Sequence, residues 1–224
     1  MEAIVQGGSV SRASLAKQTG LSKQTISEIM RQLEDEGWVQ ETGRTSGHIG
    51  RTAVTYELVP SAAYIAAIDL GGTKVRVAIC DLSSHVLSEV TEPTHPDGGA
   101  AVVDQIADLC WSAADKGGVP REKLRIAVIG APGAPQPETG RVLLAPNIAG
   151  FDQIDVAGAL EAALGFEAMI ENDVNLAVLG ESWLGVGHGI DNLAFIALGT
   201  GVGSGLMLNG QLVRGAANAA SRNP

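Results

Sequence analysis

The chain has 224 residues, 45% of them hydrophobic, and a formal net charge of −10. That content can bury a substantial core, in one large domain or in a small one joined to a medium one. No apolar run approaches the roughly 18 residues of a membrane span, and the start Met1-Glu2-Ala3-Ile4 lacks the basic segment of a signal peptide, so a cytoplasmic protein without a membrane partner is expected.

Charge is unevenly spread: residues 1–60 carry six Lys/Arg against seven Asp/Glu, and residues 61–224 carry nine against eighteen. Within the first part, Ser11 predicts the N-cap of a short helix through Thr19, which Gly20 ends in the left-handed conformation. Ser22 caps a second helix with Ile26, Ile29, Met30 and Leu33 at i, i+3, i+4 and i+7, one buried face. Ser22, Lys23, Gln24, Thr25, Ser27 and Arg31 are left on the outside, short polar and basic groups on the second helix of a helix-turn-helix. Trp38 to Gln40 and Val54 to Leu58 alternate like strands. Between them Gly43, Gly47 and Gly50 with Arg44 and Arg51 form a basic wing tip. Lys23 and Gln24 are expected at base edges and Arg31, Arg44 and Arg51 at phosphates of duplex DNA.

At Pro60-Ser61 the texture changes to short apolar strands separated by Gly and Pro, which predicts domains at 1–60 and 61–224. Strands are expected at Tyr64 to Asp69 and Lys74 to Asp81, joined by a tight Gly71-Gly72 turn. A helix at Ala101 to Ala114 follows, then a strand from Leu124 to Gly130 that runs into Ala131-Pro132-Gly133. Beyond it lie a helix from Ile154 to Leu164, a strand from Ala168 to Ile170, a helix from Val174 to Trp183 and a strand from Asn192 to Leu198. This is an α/β domain with mixed strand directions. Cys80 and Cys110, far apart in apolar stretches, are expected to be buried free thiols, with no metal ligand nearby in sequence.

Gly71, Gly72, Gly201 and Gly203 allow backbone N–H groups to approach an anion, and Thr73 and Thr200 add hydroxyls. Each cluster alone is equally a tight turn. Asp69, at a strand end beside such a loop, is placed to hold a water on Mg²⁺, or else to cap a turn. Asp173 precedes a helix and is either an N-cap or a carboxylate that accepts from a sugar hydroxyl and, in a kinase, removes its proton. Asn147 and Asn172 offer amides to neighbouring hydroxyls, or are ordinary loop asparagines.

The stretches IDLGGTKVRVAICD at 68–81, IGAPGAP at 129–135, GRVLLAPNIAGF at 140–151, IENDVNLAVLGE at 170–181 and ALGTGVGSGLMLNGQLVRGA at 197–216 each look like a signature of one family. The chain resembles the ROK proteins (repressors, open reading frames and kinases), which share the actin and sugar-kinase fold. The resemblance implies that Asp69, Gly71, Gly72, Thr73 and Lys74, with Thr200, Gly201 and Gly203, border nucleotide phosphates. It implies that Gly133, Asn147, Asn172 and Asp173 contact the sugar, with Asp173 the catalytic base in kinase members. The helix-turn-helix is similar to that of the repressor branch.

The family continues after a segment like Arg214-Gly215-Ala216 with a Gly-Glu-Ile-Gly-His type segment and a zinc-binding cysteine cluster, whereas this chain reads Ala217 to Pro224 with no cysteine after Cys110. The resemblance therefore implies a C-terminally truncated member with an incomplete actin-like domain and no zinc site, expected to form the family's homo-oligomer poorly. The leading reading is a sugar-responsive transcriptional regulator, a repressor of carbohydrate-utilisation genes, which needs no cofactor to bind DNA. The alternatives are a glucokinase-like sugar kinase using ATP and Mg²⁺, and an inactive fragment whose strand after Gly205 is left unpaired.

Overall fold

The computed structural model describes residues 1–47, 51–136, 139–143, 148–199 and 202–214, with the backbone alone at Glu2, Gln6, residues 44–47, Arg51 and Thr52. It divides into two compact units, Met1–Ala63 with Asp81–Ser84, and Tyr64–Cys80 with His85–Pro224.

The first unit runs α1 (Glu2–Gly7), β1 (Val10–Ser11), α2 (Arg12–Thr19), α3 (Lys23–Asp35), β2 (Val39–Gly47) and β3 (Arg51–Leu58), with its strands in the order β1-β3-β2. Ser11 caps α2 by accepting from the Ser14 amide, the Ser14 hydroxyl closes a capping box, and Gly20 ends the helix in the left-handed region at φ 73°. Ser22 likewise caps α3 through the Thr25 amide. Ile26 and Met30 bury against Ile4, Val10, Leu15, Val39 and Tyr56. Ile29, expected on that face, is 39% exposed. With 3.6 residues per turn it stands a quarter-turn or so from Met30, outside the narrow seam that Ile26 and Met30 define. The β2–β3 ribbon is longer than the alternation predicts, paired from Val39↔Leu58 to Gly47↔Arg51 with a bulge between Glu41 and Gly43. Glycines at 43 and 47 carry no side chain by which to read that alternation.

In the second unit β4 (Tyr64–Leu70), β5 (Lys74–Asp81), β6 (Val86–Pro93), β7 (Leu124–Ala131) and β10 (Glu167–Asn172) form a sheet in the order β10-β7-β4-β5-β6. β10, β7 and β4 are parallel and β6 is antiparallel to β5. Helices α4 (Gly99–Gly117), α5 (Val156–Leu164) and α6 (Asp173–Trp183) and the ribbon β8 (Ala134–Gln136) with β9 (Arg141–Leu143) accompany it. Alternate residues Ala66, Ile68, Leu70, Val75, Val77, Ile79, Ala127, Ile129 and Ala131 bury with Val102, Ile106 and Cys110 of α4 and Val156 and Leu160 of α5. β6, unforeseen in the sequence, is an edge strand whose residues are mostly exposed, so apolar alternation is missing there. Cys110 is fully buried, whereas Cys80 is only half-buried.

A second sheet holds β11 (Leu193–Leu198), β12 (Val202–Leu208) and β13 (Gln211–Leu212) in that order. The expectation of an unpaired strand after Gly205 is overturned: Leu206 pairs with Ala194, and Met207 with both Leu193 and Leu212. The tight Asn209-Gly210 turn, with both residues at positive φ, folds β13 back onto β12. What this sheet does expose is a face, with Ile196 and Leu198 64% and 81% accessible. Among the described residues no helix is long and apolar enough to cross a membrane.

Candidate functional site

Three parallel strands end side by side, Asp69 of β4 opposite Gly130 of β7 and Gly130 opposite Glu171 of β10. Carboxyl ends of parallel strands are where open α/β sheets bind ligands, because helices and loops leave there without covering the crevice. α6 starts at this edge. Its N-cap is Asn172, whose Oδ1 accepts from the amides of Val174 and Asn175 at 3.1 and 3.2 Å, so Asp173 is the first helical residue and not the cap. Asp173 is exposed, with Oδ1 2.9 Å from the Val174 amide nitrogen. A carboxylate there faces the positive end of the helix dipole.

Asn172 is 2% exposed and its Nδ2 donates to the Gly133 carbonyl at 2.8 Å. Expected as a sugar contact, it is committed on both ends of its amide to holding two chain segments together. Gly133 is buried at φ 135°, a conformation that favours glycine. Two residues emerge that motif reading passed over. Gly130 is one: a Cβ there would lie 3.2 Å from Leu176 Cδ1 and 3.6 Å from the Asp173 Cα, so its bareness lets α6 approach the strand end. Glu171 is the other, its Oε1 accepting from the Asn172 amide and from Asn175 Nδ2, both at 2.9 Å, and its Oε2 from Arg214 Nε at 2.7 Å. Each lies inside a quoted signature stretch, Gly130 in 129–135 and Glu171 in 170–181, and that is the signal the sequence holds for them.

The first glycine loop is an exposed turn between β4 and β5. Gly71 donates its N–H to the Lys74 carbonyl at 2.9 Å, and its own carbonyl accepts from Thr94 Oγ1 at 2.7 Å. That N–H is thus engaged inside the turn, while Gly72, Thr73 and Lys74 lie exposed near the Asp69 strand end. Gly203 stands in β12, opposite Ala197, rather than in the second loop. A Cβ on it would come 2.9 Å from Val174 Cγ2, and one on Gly205 2.4 Å from the Val174 carbonyl oxygen, so these two glycines serve the close approach of β12 to α6. Asn147, Thr200 and Gly201 lie outside the described residues. Among the described residues no group of three or more His, Cys, Asp or Glu is gathered to hold a metal ion.

On the first unit, Lys23, Gln24, Thr25 and Arg31 are exposed along α3, with Ser27 half-buried. Gln24 Nε2 donates to Glu28 Oε1 at 3.3 Å, which orients the Gln24 amide. The Ser22 hydroxyl lies 2.9 Å from Thr25 Oγ1, and Ser27 Oγ donates back to the Lys23 carbonyl at 2.9 Å, so these hydroxyls also serve the helix itself. Of Arg44 and Arg51 only the backbone is described, on the two arms of the wing. Arg12 stacks its guanidinium 5.0 Å over the buried Tyr56 ring. Burial pushes the Tyr56 phenol up, against the opposing pull of the Arg12 charge.

A parallel-strand edge that gathers an Asn-Asp turn between glycine turns defines a sugar-kinase-like domain of the actin type, and a winged helix-turn-helix precedes it in sequence. The winged helix-turn-helix DNA-binding model matches residues 1–40. The ROK family model matches residues 65–221, and the chain belongs to that family. It is 27% identical over 217 residues to a putative xylose repressor of Caldicellulosiruptor sp. strain Rt8B.4, covering 96% of this chain and 54% of that one. It is 37% identical over 150 residues to a glucokinase of Streptomyces coelicolor, covering 66% and 44%. A crystal structure of a ROK family transcriptional regulator, a homologue of the E. coli MLC protein, shares the fold with TM-score 0.83 at 23% identity, covering 99% of this chain and 56% of that one. A ROK glucokinase from Streptomyces griseus, solved with glucose and AMPPNP, superposes with TM-score 0.64 at 31% identity over 71% and 49%. The chain spans about half the length of the relatives it matches.

Proposed function

We propose that this chain is a sugar-responsive transcriptional regulator of carbohydrate-utilisation genes, acting as a repressor. Residues 1–60 bind operator DNA, with α3 reading the major groove and the wing meeting phosphates, and residues 61–224 bind a sugar at the Asp173 edge. The observation that carries the reading is the coexistence in one chain of a capped helix-turn-helix with an exposed polar α3 and a ROK domain that matches xylose repressors along nearly its whole length. Sugar hydroxyls suit the exposed Asp173 carboxylate, a charged acceptor fixed at a helix start. A sugar that binds the two DNA-affinity states unequally must shift operator affinity by that same factor. Duplexes selected from a random pool and titrated by fluorescence anisotropy, with and without xylose, glucose, mannose and N-acetylglucosamine, test the reading. Specific binding that one sugar changes at least fivefold is expected; sequence-independent binding indifferent to every sugar would sink it.

A second reading, an ATP-dependent sugar kinase, is favoured by the 37% identity to a glucokinase. In it Asp173 is the base, Asp69 holds Mg²⁺ through water, and Thr73 and Lys74 border the phosphates. ADP release that requires both a sugar and Asp173 would decide for it over the regulator.

A further inference from the structure

We propose that Glu171 and Arg214 are the positioning pair of the ligand site: their ion pair makes the second sheet hold the Asn172-Asp173 turn in its binding orientation. The inference rests on the sugar-binding reading of Asp173.

Glu171 receives donors from three separate places. The Asn172 amide belongs to the turn that carries Asp173, Asn175 Nδ2 belongs to the first turns of α6, and Arg214 Nε belongs to the residues that leave β13. Asn175 is 3% exposed, so its amide needs a partner, and the Glu171 carboxylate supplies it. The register Asp69↔Gly130↔Glu171 sets that carboxylate on the same edge as the candidate ligand residues. The five-stranded and three-stranded sheets share no strand. Arg214 therefore ties the exit of the second sheet directly to the last residues of β10, one residue from the Asn172-Asp173 pair.

At 2.7 Å, with the Glu171 side chain 15% and the Arg214 side chain 51% exposed, this is a short, charge-assisted contact that solvent reaches from the arginine side. Losing the arginine leaves a carboxylate with two neutral donors and removes the polar tie from the β13 exit, so that the packing of β12 on Val174 is left to hold the α6 start. The coupling is reciprocal, so a sugar that fixes Asp173 also tightens the Arg214 contact.

The test uses the whole chain and three variants, Arg214→Gln, Arg214→Lys and Glu171→Gln. Arg214 is half exposed, so its replacement buries no orphan charge of its own. Calorimetric titration with xylose, glucose, mannose and N-acetylglucosamine gives affinity, and hydrogen exchange gives the protection of amides 172–176 in the free protein. Arg214→Gln and Glu171→Gln should each weaken the sugar that the wild type binds by roughly tenfold, as loss of a charged hydrogen bond does. The same amides should exchange several-fold faster, and Arg214→Lys should recover much of both. Unchanged sugar affinity in the variants, or unchanged exchange at 172–176, overturns the pair while leaving the function standing. A wild-type chain that binds none of the sugars overturns the functional reading, and the pair falls with it.

Discussion

Asn172 Nδ2 donates to the carbonyl of Gly133, 39 residues earlier in the chain, at 2.8 Å while the other end of the same amide caps α6. One buried side chain thereby fixes the Gly133 turn and the start of the Asp173 helix relative to each other. Asn172→Ala removes a cap, worth about 0.5–2 kcal/mol, and strands a buried carbonyl at about 1–3 kcal/mol. A loss near 2–4 kcal/mol in urea unfolding is expected. Asn172→Asp keeps the cap but buries a carboxylate oxygen against the Gly133 oxygen, so it should weaken sugar binding and destabilise at least as much as the alanine. Wild-type stability in the alanine variant would refute the clamp.

The two glycines at 199 and 205 should differ in their response to alanine. A Cβ at Gly205 would stand 2.4 Å from the Val174 carbonyl oxygen and 2.8 Å from Val178 Cγ1, whereas at Gly199 it meets nothing within 4 Å. Overpacking of that kind costs about 1–3 kcal/mol, so Gly205→Ala should lower the melting temperature by several degrees and Gly199→Ala should barely move it. Equal effects in a thermal scan would argue against close packing of β12 on α6.

Much of this was legible in the sequence, and the gaps have physical reasons. Ser11, Gly20 and Ser22 announced the helix-turn-helix because capping is local chemistry, and Gly71-Gly72 announced a turn. The sequence marks Asn172 as a ligand contact and hides its clamp, because its partner Gly133 lies far away in sequence and a hydrogen bond between loops leaves no periodic trace. Gly203 looks like part of an anion cradle in the sequence for the same reason. Glycine is used both to admit a ligand and to admit a helix, and only the position of Val174 tells which. Glu171 and Arg214 could not be paired from their spacing at all.

Burial alone pushes the Cys110 thiol up to about 12. In the unfolded chain it ionises near its ordinary value of roughly 8.5, so the folded state binds the extra proton between those limits and stability falls as pH rises through them. Unfolding free energy should therefore decline from about pH 9 toward pH 12 with a slope up to ~1.4 kcal/mol per unit from this group, and Cys110→Ala should flatten it. At neutral pH a thiol reagent should leave Cys110 unlabelled until denaturant is added. Prompt native labelling there would contradict its burial.

On DNA, Gln24 and Arg31 should fail in different ways. Gln24 is exposed near the start of α3 and oriented by Glu28, so Gln24→Ala should relax preference at one base pair by about 1–3 kcal/mol. Arg31→Ala should weaken all sequences alike and reduce the log-affinity salt slope by about 1. Anisotropy titrations on matched and single-substituted duplexes at two salt concentrations separate the two. A Gln24→Ala effect identical on every duplex would remove α3 from the base-reading role.

Asp173→Asn tests the ligand edge with little structural cost. The side chain is exposed, its Oδ1 contact to the Val174 amide can be kept by an amide oxygen, and loss of a negative charge in the first helical turn costs about 0.3–1 kcal/mol through the dipole. The melting temperature should move little. A charged acceptor to a sugar hydroxyl is worth about 1.5–3 kcal/mol, so affinity for the bound sugar should fall at least tenfold, and the sugar should lose its effect on operator binding at concentrations that saturate the wild type. If chemistry also occurs, ADP release should vanish in the same variant, because the carboxylate is then the base. A calorimetric affinity unchanged by the substitution would place the sugar away from Asp173 and with it overturn the assignment of this strand edge as the sensor.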